Sequence, residues 1–507
     1  MADTKREIER KYEAAAEDEL PELTGVGGVE AVTDQGVAVL DATYYDTADL
    51  RLARAALTLR RRTGGDDAGW HLKLPVADDV RDEIRAPLSD TVPPALLALV
   101  RSRVRDAPLV PLVRLRSERD VRHLLDADGA LLAEVSLDRV HAERLSGGSG
   151  TAAWTEIEVE LADDGDPAFL DRVDKALRRA GLRRSSAPSK LARALAETGG
   201  DAEPAAPPRK PVTAGDHVLA YVRAQRDAIV ELDPAVRRDV FDSVHSLRVA
   251  TRRLRGALRS YGTVLDRTVT DPIADELKWL AGELGADRDR EVLTERLTTA
   301  LSELPYHLVV GPVRARLRTW SDTRRGGTRG RLTAALDSER CRALLDTLDA
   351  LVEEPPSLEA AARKPSKVLG KAVRKDFGKL SALVGRALDL PPGHDRDVAM
   401  HEARKKAKRT RYAAEAAAPA LGRPAEALVK ALKSVQTLLG DHQDSVMARG
   451  ALRELAAEAR TAGEDTFTYG VLYGREEQRA AAYEAALPTV WKAAVNEGEG
   501  LLRTRYA

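Results

Sequence analysis

Carboxylates and cations alternate along short stretches of the first 200 residues in a way that suits phosphate chemistry. Glu7, Glu9 and Lys11 occupy positions i, i+2 and i+4 of KREIERKYE. On an extended chain they share one face. The same spacing groups Arg60 with Arg62, Arg81 with Glu83 and Arg85, and Arg114 with Arg116. It also groups Glu134 with Ser136 and Asp138, and Glu156 with Glu158 and Glu160. Some stretches are purely acidic on that face and others purely basic. A polyanion held by Arg and Lys, with divalent cations held by carboxylates, needs that division. Guanidinium forks match phosphate, and carboxylate oxygens match hard Mg²⁺ or Mn²⁺. No Ser, Cys or His arrangement suggests a covalent route. His71 alternates with Lys73 but stands as a single histidine, which is more often structural.

A second set of cations follows a different period. HSLRVATRRLR from His245 and HEARKKAKRTR from His401 both read His-x-x-Arg-x-x-x-[Arg/Lys]-x-x-Arg, 156 residues apart. Downstream, LGADRD holds Gly285 and LGDHQD holds Gly440, with Lys278 and Lys433 each seven residues before the glycine. The matched offset predicts an internal duplication of two helical bundles. On a helix the four positions fall within about 80° of one another. His245, Arg248, Arg252 and Arg255 therefore form one stripe, and His401, Arg404, Lys408 and Arg411 another. Arg253 and Lys405 lie beside them. One charged helix face is ordinarily solvated; two copies that keep the histidine and the basic positions point to an anionic partner. The copies differ where Arg288 faces Gln443, which sets the two halves apart. The nine histidines form no His-x₃-His or His-Cys cluster, so this part is not expected to bind metal.

The elements that carry these residues follow from periodicity. Eight stretches from KREIERKYE to WTEIEVELA alternate with period two and are expected to be strands of a sheet closed into a barrel. With the charged face outward this is an ordinary solvated barrel; with it inward, the barrel encloses a tunnel lined by acids and bases. ETGGDAEPAAPPRKPVTAGD at 197–216 has four prolines and reads as a linker. Beyond it the pattern is helical and rich in Ala, Leu, Arg and Glu.

Composition supports this division. The 507 residues carry 80 Lys+Arg and 81 Asp+Glu, but residues 1–200 are net −8 and the remainder net +7. A single cysteine, Cys341, rules out an intramolecular disulfide framework and fits a reducing compartment. The charged start MADTKREIERKYE lacks the apolar core of a signal peptide, and no run approaches a membrane helix. A cytoplasmic protein is expected. Aromatics at 4% leave few stacking platforms for single-stranded nucleic acid.

The ordered series EIERK at 7–11, TYYDTADLRLARAALTLRRR at 43–62, WHLKLP, AEVSLDRV, EIEVEL and SSAPSKLARAL resembles the CYTH domains, the triphosphate tunnel metalloenzymes. The paired helical motifs resemble the CHAD domain, the conserved-histidine α-helical domain. The resemblance implies an α+β protein: an eight-stranded antiparallel tunnel over 1–197, a linker over 198–215, and an all-α domain of two repeated bundles over 216–507, with halves about 216–352 and 366–507. It implies that Glu7, Glu9, Glu156, Glu158 and Glu160 bind a divalent cation, Mg²⁺ or Mn²⁺, with Asp138 or Glu134 completing the set. Lys11, Arg60, Arg62, Lys73, Arg114, Arg116 and Lys190 would hold a triphosphate, and Glu7, Glu9 and Lys11 would be catalytic. His245, Arg248, Arg252, Arg255, Lys278, His401, Arg404, Lys408, Arg411 and Lys433 would bind inorganic polyphosphate. The implied activity is hydrolysis of inorganic triphosphate or a related triphosphate. A non-catalytic polyphosphate-binding protein and a nucleotide cyclase are the alternatives. Association with polyphosphate granules is a further expectation; membrane and nucleic acid are not expected partners.

Overall fold

The computed structural model describes residues 3–65, 67–199, 210–285, 288–325 and 328–503. They form two compact units, Met1–Pro208 and Arg209–Ala507. Residues 200–209 of the proline-rich stretch lie outside the described residues, as does the side chain of Arg288.

The first unit runs β1 (Asp3–Ala14), β2 (Ala31–Asp46), β3 (Thr58–Thr63), β4 (Gly69–Ala77), β5 (Val80–Ala86), α1 (Pro94–Val104), β6 (Val110–Leu125), β7 (Leu131–Arg144), β8 (Thr151–Leu161), α2 (Ala168–Arg179), β9 (Arg183–Arg184) and α3 (Lys190–Glu197). The order β5-β4-β3-β2-β6-β7-β8-β1, with β1 also paired to β5, closes eight antiparallel strands into a barrel. Closure leaves the barrel strands no free edge. The two-residue β9 adds to β1.

Apolar side chains of the strands mostly point outward. Tyr12, Val135, Leu137, Ile157 and Val159 pack under α2 through Phe169, Leu170, Val173 and Leu177. Leu59, Trp70, Leu72 and Ile84 pack under α1 through Leu96, Leu99 and Val100. One end of the interior is the exception. There Tyr44, Val113, Leu115, Val140, Ala142 and Trp154 bury Leu191, Ala194 and Leu195 of α3, so this helix closes that end. Ser189 starts α3 by accepting a hydrogen bond from the Ala192 amide, as N-cap serines do.

The second unit runs α4 (Ala214–Arg237), α5 (Ser243–Ser260), α6 (Arg267–Glu283), α7 (Arg288–Ser302), α8 (Val313–Arg325), α9 (Thr328–Asp337), α10 (Glu339–Glu353), α11 (Pro365–Asp389), α12 (His394–Leu421), α13 (Arg423–Thr461) and α14 (Phe467–Arg503). Helix α4 begins at Ala214, inside the stretch read as linker, because Thr213 and Asp216 form a capping box there. Helices α4 to α6 and α11 to α13 carry the two sequence copies and share one apolar core. A smaller core joins α7 and α8 to α13 and α14.

Candidate active site and cationic groove

Alternation along the closed strands turns the charged face inward. The result is a cavity of about 260 Å³ lined by nine cationic and seven carboxylate side chains. Glu7, Glu9 and Lys11 reach it from β1, Arg60 and Arg62 from β3, Lys73 from β4, Glu158 and Glu160 from β8, and Lys190 from the first turn of α3.

The strand register explains the local chemistry. Glu9 lies opposite Glu160, and Glu160 opposite Glu134, so three carboxylates form a row across β1, β8 and β7. Like charges directly opposite are unfavourable. Lys5 reaches Glu160 at 2.7 Å, and Lys73 reaches Glu7 at 2.5 Å. This does not balance the row. Burial first, and then the charges of Glu83, Glu160 and Glu9, outweigh Lys73 and raise the Glu7 carboxyl to about 7. Burial also works to raise Glu9, but Lys11 and Lys73 outweigh it and hold this carboxyl at about 2. Glu7 Oε2 and Glu9 Oε1 are buried and accept no aligned hydrogen bond, although a lysine ammonium is within ion-pair reach of each. Each of the three carboxylates already has a lysine within ion-pair reach, yet Glu7 stays raised, and the two unbonded oxygens fit a divalent cation held by Glu7, Glu9 and Glu160.

Glu156 belongs elsewhere. It forms, with Asp138 and Glu158, a buried trio whose oxygens lie within 4.8 Å of one another. That spacing would suit a metal, but the Lys190 ammonium already stands 2.9 Å from Asp138 and 2.7 Å from both glutamates. Arg119 adds bonds of 2.7 Å to each Asp138 oxygen and 2.8 Å to Glu158. Lys11 also pairs with Glu158, so three cations stand at the trio.

On the basic side, cations crowd. Burial, then Arg60 and Arg119, lower Arg62 to about 9, although Asp67 pairs with it. The Nε atoms of Arg60 and Arg62 are buried and find no partner among the described residues. Arg60 reaches Tyr44 Oη at 3.3 Å and Glu83 at 3.5 Å. His71 is fully buried and bonds Glu83 at 2.9 Å. Burial lowers its pKa to about 4, so it is neutral near pH 7 and serves to hold Glu83.

Arg114 and Arg116 require a correction. They face out of the barrel, where Arg114 bonds Asp41 at 2.9 Å, and they border a shallow outer depression with His141 and Glu143. Inward positions on β6 have the opposite parity, so Arg119 reaches the chamber instead. Arg119, Glu83, Arg81, Arg85, Lys5 and Tyr44 line the chamber without having been assigned as ligands from the sequence. The shared face of Arg81, Glu83 and Arg85 was the available signal.

In the second unit, α5 and α12 cross and frame a groove. Arg252, Arg255, Arg259, Lys405, Lys406, Lys408 and Arg409 line it beside a single acid, Glu402. A neighbouring depression shares Arg259 and Arg409 and adds Arg267, Lys375 and Lys379. Burial, then Arg259, lowers the Arg255 pKa, with Arg252 and Arg409 acting in the same direction. The structure thus brings Arg252, Arg255 and Lys408 together in the groove. Arg248 and Arg404 instead lie over Gly285 and Gly440, where an added Cβ would come within 3.0 and 3.7 Å of them. The approach is tight at Gly285 and an ordinary contact at Gly440. Arg411 bonds Gln436 at 3.0 Å and Glu415 at 2.8 Å outside the groove. His245, Lys278 and Lys433 are exposed away from it, and His401 is half-buried beside Gln443. Arg259, Lys405, Lys406 and Arg409 are groove residues that the four-position stripe did not include.

A closed barrel with a charged interior, followed by a duplicated helical unit with a basic groove, defines the class. A CYTH domain is matched over residues 5–195 and a CHAD domain over residues 220–453. The Mycobacterium tuberculosis proteins MT2285 and Rv2226, both uncharacterized, are each 40% identical over 506 residues, covering 96% of both chains. The chain belongs to the CYTH–CHAD proteins. Among solved structures, PptA from Streptomyces chartreusis is 24% identical, covers 56% of this chain and all of its own, and gives a TM-score of 0.47. The CHAD domain from the plant Ricinus communis is 25% identical over 56% of this chain and 92% of its own, with a TM-score of 0.43. The Hippeastrum protein HpAC1, described as a putative adenylyl cyclase with a dominant triphosphatase activity, is 17% identical over 38% of this chain and 96% of its own, with a TM-score of 0.22.

Proposed function

We propose that the barrel hydrolyses inorganic triphosphate or a related triphosphate with the aid of Mg²⁺ or Mn²⁺, and that the helical unit binds inorganic polyphosphate. One observation carries the reading: a single chamber holds buried carboxylates crowded enough to raise Glu7 and guanidinium groups crowded enough to lower Arg62. Each imbalance is relieved by one half of a metal–triphosphate complex. Arg60, Arg62, Arg119 and Lys73 bind and orient the phosphate chain through charge-assisted hydrogen bonds. Glu7, Glu9 and Glu160 hold the cation, which when bound offsets charge developing on the phosphate oxygens. Glu156, Glu158 and Asp138 keep Lys190 and Arg119 fixed, so these cations need no reorganisation as charge develops.

The groove of the helical unit offers cations in rows and little else, as a chain of phosphates without bases requires. Among the described residues no helix is long and apolar enough to cross a membrane. Phosphate release from tripolyphosphate, with and without Mg²⁺ or Mn²⁺, tests the proposal. Metal-dependent release that is lost in Glu7→Ala with Glu9→Ala supports it. No release with any divalent ion, alongside retained tripolyphosphate binding, converts the barrel into a binding module.

A further inference from the structure

Three consecutive helices bring Asp397 of α12, His442 of α13 and Glu484 of α14 together, with one ligand atom from each inside 4.8 Å of the others. His442 Nε2 stands 3.3 Å from Asp397 Oδ1 and 3.5 Å from Glu484 Oε1. Neither ring nitrogen makes an aligned hydrogen bond among the described residues, although Nε2 lies within ion-pair reach of both carboxylates. The His442 side chain is 1% exposed. A buried imidazole without an aligned hydrogen bond is costly to hold.

The carboxylates are arranged around that nitrogen. Asp397 gives Oδ2 to Arg449 at 2.9 Å and turns Oδ1 toward His442. Glu484 gives Oε2 to Arg396 at 2.8 Å and turns Oε1 toward His442. Each arginine thus fixes one oxygen and leaves the other aimed at a common point, which is how outer partners orient metal ligands. Tetrahedral Zn²⁺ with bonds of about 2.0–2.1 Å sets its donors roughly 3.3–3.4 Å apart. The two separations from His442, 3.3 and 3.5 Å, lie close to this spacing and exceed a charge-assisted hydrogen bond, at about 2.7–2.9 Å.

We infer that Asp397, His442 and Glu484 form a Zn²⁺ site in the helical unit, separate from the barrel and tying α14 to α12 and α13. One nitrogen and two carboxylate oxygens suit Zn²⁺ better than Mg²⁺ or Ca²⁺, which prefer all-oxygen shells. Glu484 lies beyond the matched CHAD segment, which ends at residue 453. The first repeat copy has no described counterpart of His442, because residue 287 lies outside the described residues.

The test uses the full chain freed of metal and titrated with Co²⁺, whose four-coordinate complexes absorb strongly in the visible and whose six-coordinate oxygen complexes do not. One equivalent of strongly absorbing Co²⁺, displaced by Zn²⁺, is expected. The band should vanish in His442→Asn and in Glu484→Gln and persist in the double variant Glu7→Gln, Glu9→Gln. Arg449→Met should weaken binding by about 10- to 100-fold. Circular dichroism confirms folding, and Glu484→Gln, at a partly exposed position, serves if His442→Asn does not fold. Absence of the band in the parent chain, or its survival in a folded ligand variant, overturns the site. Loss of tripolyphosphate hydrolysis would leave this result untouched.

Discussion

Gly256 of α5 packs against the ring of Tyr412 of α12, and these two residues are 156 positions apart, the offset that relates His245 to His401. Each is the other's counterpart in the duplication, so the two copies meet about a local two-fold axis at this contact. Tyr261 Oη, bonded to the Ala413 carbonyl at 2.5 Å, fastens the crossing. A Cβ on residue 256 would come within 3.1 Å of Tyr412 Cδ2. Gly256→Leu is therefore expected to destabilise the helical unit by about 1–3 kcal/mol through overpacking. Gly282→Ala, in a helix with nothing within 4 Å, should instead stabilise by up to about 1 kcal/mol. Denaturant unfolding of both variants checks the pair.

The duplication is not symmetric in charge. Arg259 in the groove corresponds to Glu415, which takes Arg253 at 3.1 Å, Tyr221 Oη at 3.2 Å and Arg411 at 2.8 Å. One side of the crossing is left cationic and the other is self-neutralised. Arg259→Glu should lower polyphosphate affinity by about tenfold and flatten its salt dependence. Glu415→Gln should raise both. Binding isotherms at several salt concentrations decide; equal effects of the two variants would refute the one-sided groove.

Neighbouring glutamates on β1 should respond to pH in opposite directions. Glu7, raised to about 7, binds its proton more tightly folded than unfolded. Metal-free stability therefore falls as pH rises from the unfolded value near 4.5 through 7. Glu9, lowered to about 2, contributes stability above 4.5 that is lost as pH falls through 2. At pH 8 without metal, Glu7→Gln should stabilise and Glu9→Gln destabilise, each on the order of 2 kcal/mol. Thermal unfolding from pH 4 to 8 gives the comparison.

For the chamber, Arg62→Ala should raise the KM for tripolyphosphate by about 10- to 100-fold, from loss of a charged hydrogen-bond donor. Arg114→Ala and Arg116→Ala should leave it within about twofold, as surface charges do. Steady-state kinetics with saturating Mn²⁺ separates the two sets.

That contrast also marks where the sequence stops being legible. All eight barrel strands announce themselves by alternation, and β1, β3 and β8 give their inward residues because their charged face is the interior face. Strand β6 breaks the rule. Over Val113 and Leu115 its inward face is apolar, since α3 packs there, and it becomes cationic only at Arg119. A reading that assigns charge to one face along the whole strand selects Arg114 and Arg116. The closing helix, a long-range packing event, reverses the choice. Likewise the four-position stripe on α5 and α12 gives a face of each helix but not the crossing point. The crossing selects Arg259, Lys406 and Arg409 and excludes Arg411.

The helix packed into one end of the barrel also bears on how a polymer would be handled. For the proposed hydrolysis, a closed end means that a linear polymer is not threaded from one side to the other. On that proposal only a chain terminus enters, and a long chain is shortened from its end rather than cut within.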